Sequence, residues 1–289
     1  MLKQNLASIV LAALSVQLAS AGVVARAAPG AAAKGPIKPA PNTVAKAPSS
    51  PPAKASVQEI LSGLIDADPW ALGGAVMTAR ASLKDKHGAS SELTFQARSR
   101  RYAPPFSKAI VRFTAPADLA GAGFLQVQNQ TGDDDRFLFL PDLKRSRRIS
   151  GNLRGSAFMG TDFSFADLDR RDLRESSSLR KADESIGKFP CFRVDATPSR
   201  ADSPYSRIEM WIRQDNYMPL KMQMYDRASA LFKTFTAQEV RRVSGHWYIT
   251  KSRMIDHLNS HQTELVIENV APSTDIPDEE FTVRNLEKL

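Results

Sequence analysis

Residues 206–226 read SRIEMWIRQDNYMPLKMQMYD, and the phase of their apolar residues decides the fold class. Ile208, Met210 and Ile212 alternate with Glu209, Trp211 and Arg213; further on, Leu220, Met222 and Met224 alternate with Lys221, Gln223 and Tyr225. A period of two marks strands that bury one face and solvate the other. Working outward, strand-like runs recur at 76–83 and 91–100, joined by the turn-like DKHGAS, then at 108–116, 123–130 and 135–141, with Thr131-Gly132-Asp133-Asp134 as a turn. Further runs lie at 190–196, 231–240, 246–256 and 263–270. About ten such runs in succession favour antiparallel pairing over an alternating α/β fold. The expected fold is mainly β (α+β), an incomplete antiparallel β-barrel or a strongly curved sheet.

Two segments break the alternation. In SVQEILSGLIDA, residues 56–67, Ile60, Leu61 and Leu64 recur at helical spacing behind Ser56, a cap residue. Residues 141–174 contain Gly151, Gly155 and Gly160 among Phe158, Met159, Phe163 and Phe165. Glycines permit bends, so this region reads as a long connection with short helices, either a lid over the open end of the sheet or a large packed loop.

The 289 residues carry a formal net charge of +8, but residues 1–56 hold six lysines and arginines and no acid, leaving 33 basic against 31 acidic residues beyond them. The excess charge is therefore not a property of the folded part. Residues 1–27 read as an export signal, with Lys3, an apolar run from Leu6 to Leu18, and small residues for cleavage at Ala19-Ser20-Ala21 or Ala25-Arg26-Ala27. Residues 28–56, rich in Pro and Ala, read as a disordered linker, and 57–289 as one domain. A periplasmic location after signal cleavage follows.

Chemical motifs are sparse. HExxH, a P-loop, a dinucleotide-binding glycine fingerprint and GxSxG are all absent. His257 and His261 have the spacing of a helical metal pair but adjoin an alternating strand, where i and i+4 lie about 13 Å apart. Asp133, Asp134 and Asp135 fall at a turn, where carboxylates cap backbone donors. Asp162 and Asp167 are candidate acid–base carboxylates without a local partner. The single cysteine, Cys191, excludes a disulfide scaffold and reads as a buried strand residue. No cofactor, no metal and no enzymatic activity are expected. Lys144, Arg145, Arg147, Arg148 and Arg154 form the sharpest basic patch, suited to a lipid headgroup, an acidic partner, or ion pairs with Asp142, Asp162 and Asp167; export argues against nucleic acid.

The runs FLFLPDLKRSRRISGNLRGSAFMGTDFSFADL (137–168), WIRQDNYMPLKMQMYDRASALFKTFTAQEV (211–240) and ENVAPSTDIPDEEFTVRNLE (268–287) resemble the LolA-like branch of the outer-membrane lipoprotein-sorting superfamily. The resemblance spans nearly all of residues 70–289. It implies an incomplete barrel of the LolA/LppX type around an apolar cavity with a helical lid, and carriage or binding of lipid or lipoprotein acyl chains in the periplasm. Transient contact with a membrane surface goes with that role. It also implies, as an alternative, an accessory or scaffold for an inner-membrane transporter of the resistance-nodulation-division (RND) type. An envelope hydrolase would need a convergent catalytic set. Candidate cavity residues are Phe124, Phe137, Phe139, Phe158, Met159, Phe163, Met210, Trp211, Met222 and Met224, with the basic patch as headgroup or partner contact.

Overall fold

The computed structural model describes residues 55–68, 73–103, 106–168 and 171–288; the expected signal and nearly all of the expected linker lie outside the described residues. Helix α1, Val57–Ala67, starts where Ser56 predicts: Ser56 Oγ accepts from Glu59 N at 3.2 Å and the Glu59 carboxylate accepts from Ser56 N at 2.7 Å. This reciprocal cap satisfies two backbone donors that the first turn would otherwise leave unpaired. Ile60, Leu61 and Leu64 pack into a cluster with Phe192, Val194, Met210 and Ile212. Gly63 permits the approach, since a Cβ there would stand 2.5 Å from the Tyr217 ring.

The strands are β1 Gly74–Lys84, β2 Ser90–Ala103, β3 Phe106–Ala115, β4 Gly123–Val127, β5 Asp135–Leu140, β6 Arg145–Arg148, β7 Ser177–Arg180, β8 Glu184–Ile186, β9 Phe189–Thr197, β10 Arg207–Arg213, β11 Pro219–Tyr225, β12 Leu231–Val243, β13 His246–Asp256 and β14 His261–Pro272. They form one sheet in the order β6-β5-β4-β3-β2-β1-β14-β13-β12-β11-β10-β9-β7, with β8 also on β9. Two antiparallel meanders, β1–β6 and β9–β14, thus lie side by side. Their seam is the β1–β14 pairing, which runs from Ala75 opposite Pro272 to Lys84 opposite Gln262.

This overturns the expected barrel or strongly curved sheet. The edge strands β6 and β7 do not pair with each other, so the sheet is open, neither closed nor strongly curled. Alternation marks one common apolar face, which the chain covers by another route, although β4 and β10 are buried on both faces and the expected solvated face of β10, Glu209, Trp211 and Arg213, is buried too. From β6 the chain crosses the apolar face to reach β7 at the far edge. Twelve strand spacings of about 4.8 Å make a path of about 58 Å, and the connection of about 28 residues reaches about 90 Å when extended, so no closure is needed. The helical lid is also corrected: the crossing contains a 3-10 turn, Gly151–Leu153, and a four-residue helix α2, Arg171–Arg174.

One strand residue faces the wrong way for its period. Leu220 packs with Cys191 and Trp211, away from Met222 and Met224. Trp211 lies opposite Lys221 and Ile212 opposite Pro219, so Leu220 is the extra residue of a bulge, and bulges re-aim side chains.

The other face of the first meander is covered by the C-terminal tail. Ile276, Phe281 and Leu286, the last on the short helix α3 (Val283–Leu286), pack against Ile110, Leu125 and Phe139. Lys108 Nζ lies 3.0 Å from Asp278, Arg100 pairs with the same carboxylate, and Arg98 reaches Glu280 at 3.0 Å. The Lys108 ammonium, with Arg100 beside it, holds the Asp278 carboxyl below its ordinary value. A carboxylate whose native pKa is depressed stabilises fully above its unfolded value, about 4, and loses that contribution as pH falls through the native value. Backbone amide shifts of residues 276–286 should therefore hold constant from pH 7 to 5 and move on further acidification before those of β1 and β14 do; simultaneous movement would show that this contact does not govern docking.

Candidate functional site

The crossing segment is a strap lying on the apolar face. Phe158 N donates to Phe163 O at 2.7 Å and Thr161 N to Phe158 O at 3.0 Å, a tight turn in which Met159 and Gly160 take left-handed φ values of 51° and 78°. The turn presents its side chains to the sheet. The Phe158 ring stands edge-on to Phe124 at 5.2 Å and to Phe165 at 5.6 Å, and 6.0 Å from Phe113. Phe158, Met159 and Phe165 complete the cluster over β1–β5, whereas Phe163 enters the cluster over β9–β13. Leu265 of β14 packs against both clusters, so they share one face and the strap bridges them.

Two carboxylates pin the strap at its middle. The Asp162 carboxylate accepts from Thr263 Oγ1 at 2.6 Å and lies 2.8 Å from His261 Nδ1, while Asp162 N donates to Thr263 Oγ1 at 2.9 Å. Asp167 accepts from Ser164 N at 2.7 Å, Ser164 Oγ at 2.9 Å and Tyr205 OH at 2.6 Å, and pairs with Lys233 Nζ at 3.6 Å. Asp167 and Lys233 side chains are 8% and 5% exposed. At that burial each charge depends on the other, because taking an ion out of water costs several kcal/mol unless it is paired.

Sequence reasoning singled out Asp162, Asp167 and His261 but not what they touch. The basic patch does not pair with these acids: Asp162 takes His261 and Asp167 takes Lys233. His257 and His261 have separate duties, His257 Nε2 lying 2.8 Å from Thr234 Oγ1. Lys233, Tyr205 and Thr263 were missed. Lys233 had a signal, since it is in phase with Phe235 on β12 and so falls on the core face.

The expected cavity residues divide between the two faces. Phe124, Phe158, Met159, Phe163, Met210, Met222 and Met224 belong to the strap-covered face. Phe137 and Phe139 lie on the opposite face under the C-terminal tail, and Trp211 is with Cys191 and Leu220. The basic patch divides too. Arg154 is buried, 3.8 Å from Asp202, and Arg148 pairs with Asp135 at 2.6 Å. Lys144 and Arg145 are exposed and Arg147 half-buried, with no ion pair among the described residues. Arg145 and Arg147 lie across from Leu140 and Leu138, placing them at the rim of the strap-covered face.

Other chemistry is accounted for. Burial pushes the Cys191 thiol up, the wrong direction for a nucleophile. Asp134 is buried and bonded to Arg136 at 3.1 Å. Among the described residues no three His, Cys, Asp or Glu side chains are grouped to hold a metal, and no helix is long and apolar enough to cross a membrane. A cleft of ≈ 560 Å³ lies beside the β1–β2 and β13–β14 turns, lined by Lys84, Asp85, Lys86, His257 and His261 among others.

The ion pair beneath the strap sets a measurable expectation. Asp167→Ala, which strands the Lys233 ammonium, should cost about 3–5 kcal/mol in urea unfolding, and adding Lys233→Met should recover much of it. A loss below about 1 kcal/mol for the single variant would show that the pair is solvated.

No curated protein matches the chain. Among solved structures it is similar to a domain named as an outer membrane lipoprotein-sorting protein from Vibrio parahaemolyticus, at 27% identity and a TM-score of 0.73, over 79% of this chain and 97% of that one. A DUF1329 family protein from Desulfovibrio piger (23% identity, TM-score 0.73, 80% and 98% coverage) and a LolA superfamily protein from Nitrosomonas europaea (20%, 0.63, 79% and 98%) share the fold. The similarity to lipoprotein-sorting domains thus extends over most of the described residues. A family model described as "Uncharacterized protein" matches residues 106–288, more than half of the chain, and the chain belongs to that family.

Proposed function

We propose that this protein is exported to the periplasm and there carries or binds lipid or lipoprotein acyl chains without enzymatic chemistry, on the sheet face that the strap covers. The observation that carries this reading is the cover itself. A wide apolar face is covered over β1–β5 by a single loop through Phe158, Met159 and Phe165, where a second layer of structure would ordinarily stand, and the same loop sends Phe163 into the half that α1 covers. The similarity to a domain named for lipoprotein sorting supports the choice of acyl chains as occupant.

The energies allow exchange. Burying one large apolar side chain is worth about 1.5–3 kcal/mol, so the four strap residues contribute about 6–12 kcal/mol, and a C16 chain at about 0.8 kcal/mol per methylene contributes about 12 kcal/mol before ordering costs. The strap and an acyl chain are matched competitors for the same face. Phe113, Phe124, Met210, Met222 and Met224 would line the space, and Arg145 and Arg147 at its rim, with the neighbouring Lys144, would meet an anionic membrane surface or headgroup.

A second reading, an accessory or scaffold of an RND-type transporter, draws on the same cations, which have no ion pair among the described residues and lie on or beside the edge strand β6, whose Ser146 N donates to Glu287 of the tail at 2.8 Å. One measurement separates the two. The protein purified from its own envelope without detergent should yield stoichiometric acyl lipid by mass spectrometry, and Met222→Asp, at a half-buried position, should retain at least about tenfold less while still folded. Lipid-free protein in both cases would favour the accessory reading.

A further inference from the structure

We infer that the amphiphile admitted beneath the strap is anionic, its carboxylate or phosphate replacing the Asp167 carboxylate on Lys233; the inference rests on the acyl-binding role proposed above. The strap carries both acids that bond to this part of the sheet, Asp162 and Asp167, and the sheet supplies their partners: His261 and Thr263 from β14, Lys233 from β12, and Tyr205 from the loop before β10. Lys233 Nζ has its ion pair with the strap alone among the described residues. The carboxylate across the strand pair, Asp256, is committed elsewhere: it accepts from Leu258 N, Asn259 N and Asn259 Nδ2 at 2.8–2.9 Å.

Lifting the strap therefore does more than bare an apolar surface. It leaves an ammonium in the floor of that surface, with the Phe232 and Tyr205 rings 5.0 and 6.0 Å away. Ring faces attract a cation without neutralising it. A neutral acyl glycerol would fill the space of the strap's aromatic residues and leave Lys233 buried and uncompensated, whereas an acyl chain bearing an anion reproduces both halves of what the strap provides. The segment is, in composition and placement, an internal copy of an anionic amphiphile: aromatic bulk from Phe158 and Phe163 with a carboxylate close behind each turn.

The test uses three probes with the same oleoyl chain, namely oleate, oleoyl-lysophosphatidylglycerol and neutral oleoylglycerol, each incubated at equal concentration with the full exported protein and counted by native mass spectrometry. At least one anionic probe should be retained about tenfold better than oleoylglycerol, the scale expected for compensating a buried charge. Preference for oleate would identify a carboxylate ligand, and preference for the lysophospholipid a phosphate ligand. Lys233→Met should abolish the preference, so that the anionic probes and oleoylglycerol are retained equally, and Asp167→Asn, which frees Lys233, should raise retention of the anionic probes. The rise in Asp167→Asn and the wild-type contrast stand even if Lys233→Met fails to fold. Equal retention of all three probes by the wild type would overturn the inference while leaving the acyl-binding role intact, as would an unchanged preference in folded Lys233→Met. Retention of none would overturn both.

Discussion

The organisation of this protein depends on one constraint of connectivity. Its two meanders are joined at their innermost strands, β1 and β14, so the chain that ends the first meander at β6 must travel the whole width of the sheet to begin the second at β7. The journey passes over the apolar face. A connection forced onto that face has to be apolar where it touches the sheet and must find partners for its backbone, and residues 156–167 do both with Phe158, Met159, Phe163 and Phe165 alongside the short Phe158–Phe163 turn.

The strap's hold has two parts of different character. Its aromatic side chains contribute non-directional burial, which any apolar occupant of similar size can replace. Its two carboxylates make directional bonds to Thr263, Tyr205 and Lys233, whose loss strands buried polar groups. On the proposed acyl-binding role, an incoming molecule that displaces the strap would have to satisfy the second requirement as well as the first. On the opposite face the C-terminal tail is fastened by ion pairs from Arg98, Arg100 and Lys108 and by Arg112, which donates to the carbonyls of Asn285 and Leu286.

Much of the local structure was legible. Period-two alternation located β10 and β11, and Ser56 with Glu59 marked the start of α1, because both signals are written within a few residues. The β1–β14 seam was not legible, since its partners lie almost the whole domain apart and alternation says which face is buried but not which strand is adjacent. That gap produced the barrel: successive hairpins suggested closure, and only the position of the seam shows that the edges stay apart. Leu220 was misassigned because a bulge shifts phase without a composition signal. For the candidate site, Phe158, Met159 and Phe163 were identified from their composition, and Asp162 and Asp167 from their chemistry, but Tyr205, Lys233 and Thr263 join them only through the crossing. Lys233, a charge in phase with Phe235, was the residue whose sequence context came nearest to announcing a buried ion pair.

The central claim is that strap and ligand compete for one face. Hydrogen exchange followed by mass spectrometry, on peptides covering residues 156–167 with and without saturating oleate, tests it directly. The account predicts that these amides lose protection when ligand binds, while those of β1 and β14 at the seam do not. Protection of the strap that stays constant or rises in a complex shown to contain oleate would contradict it.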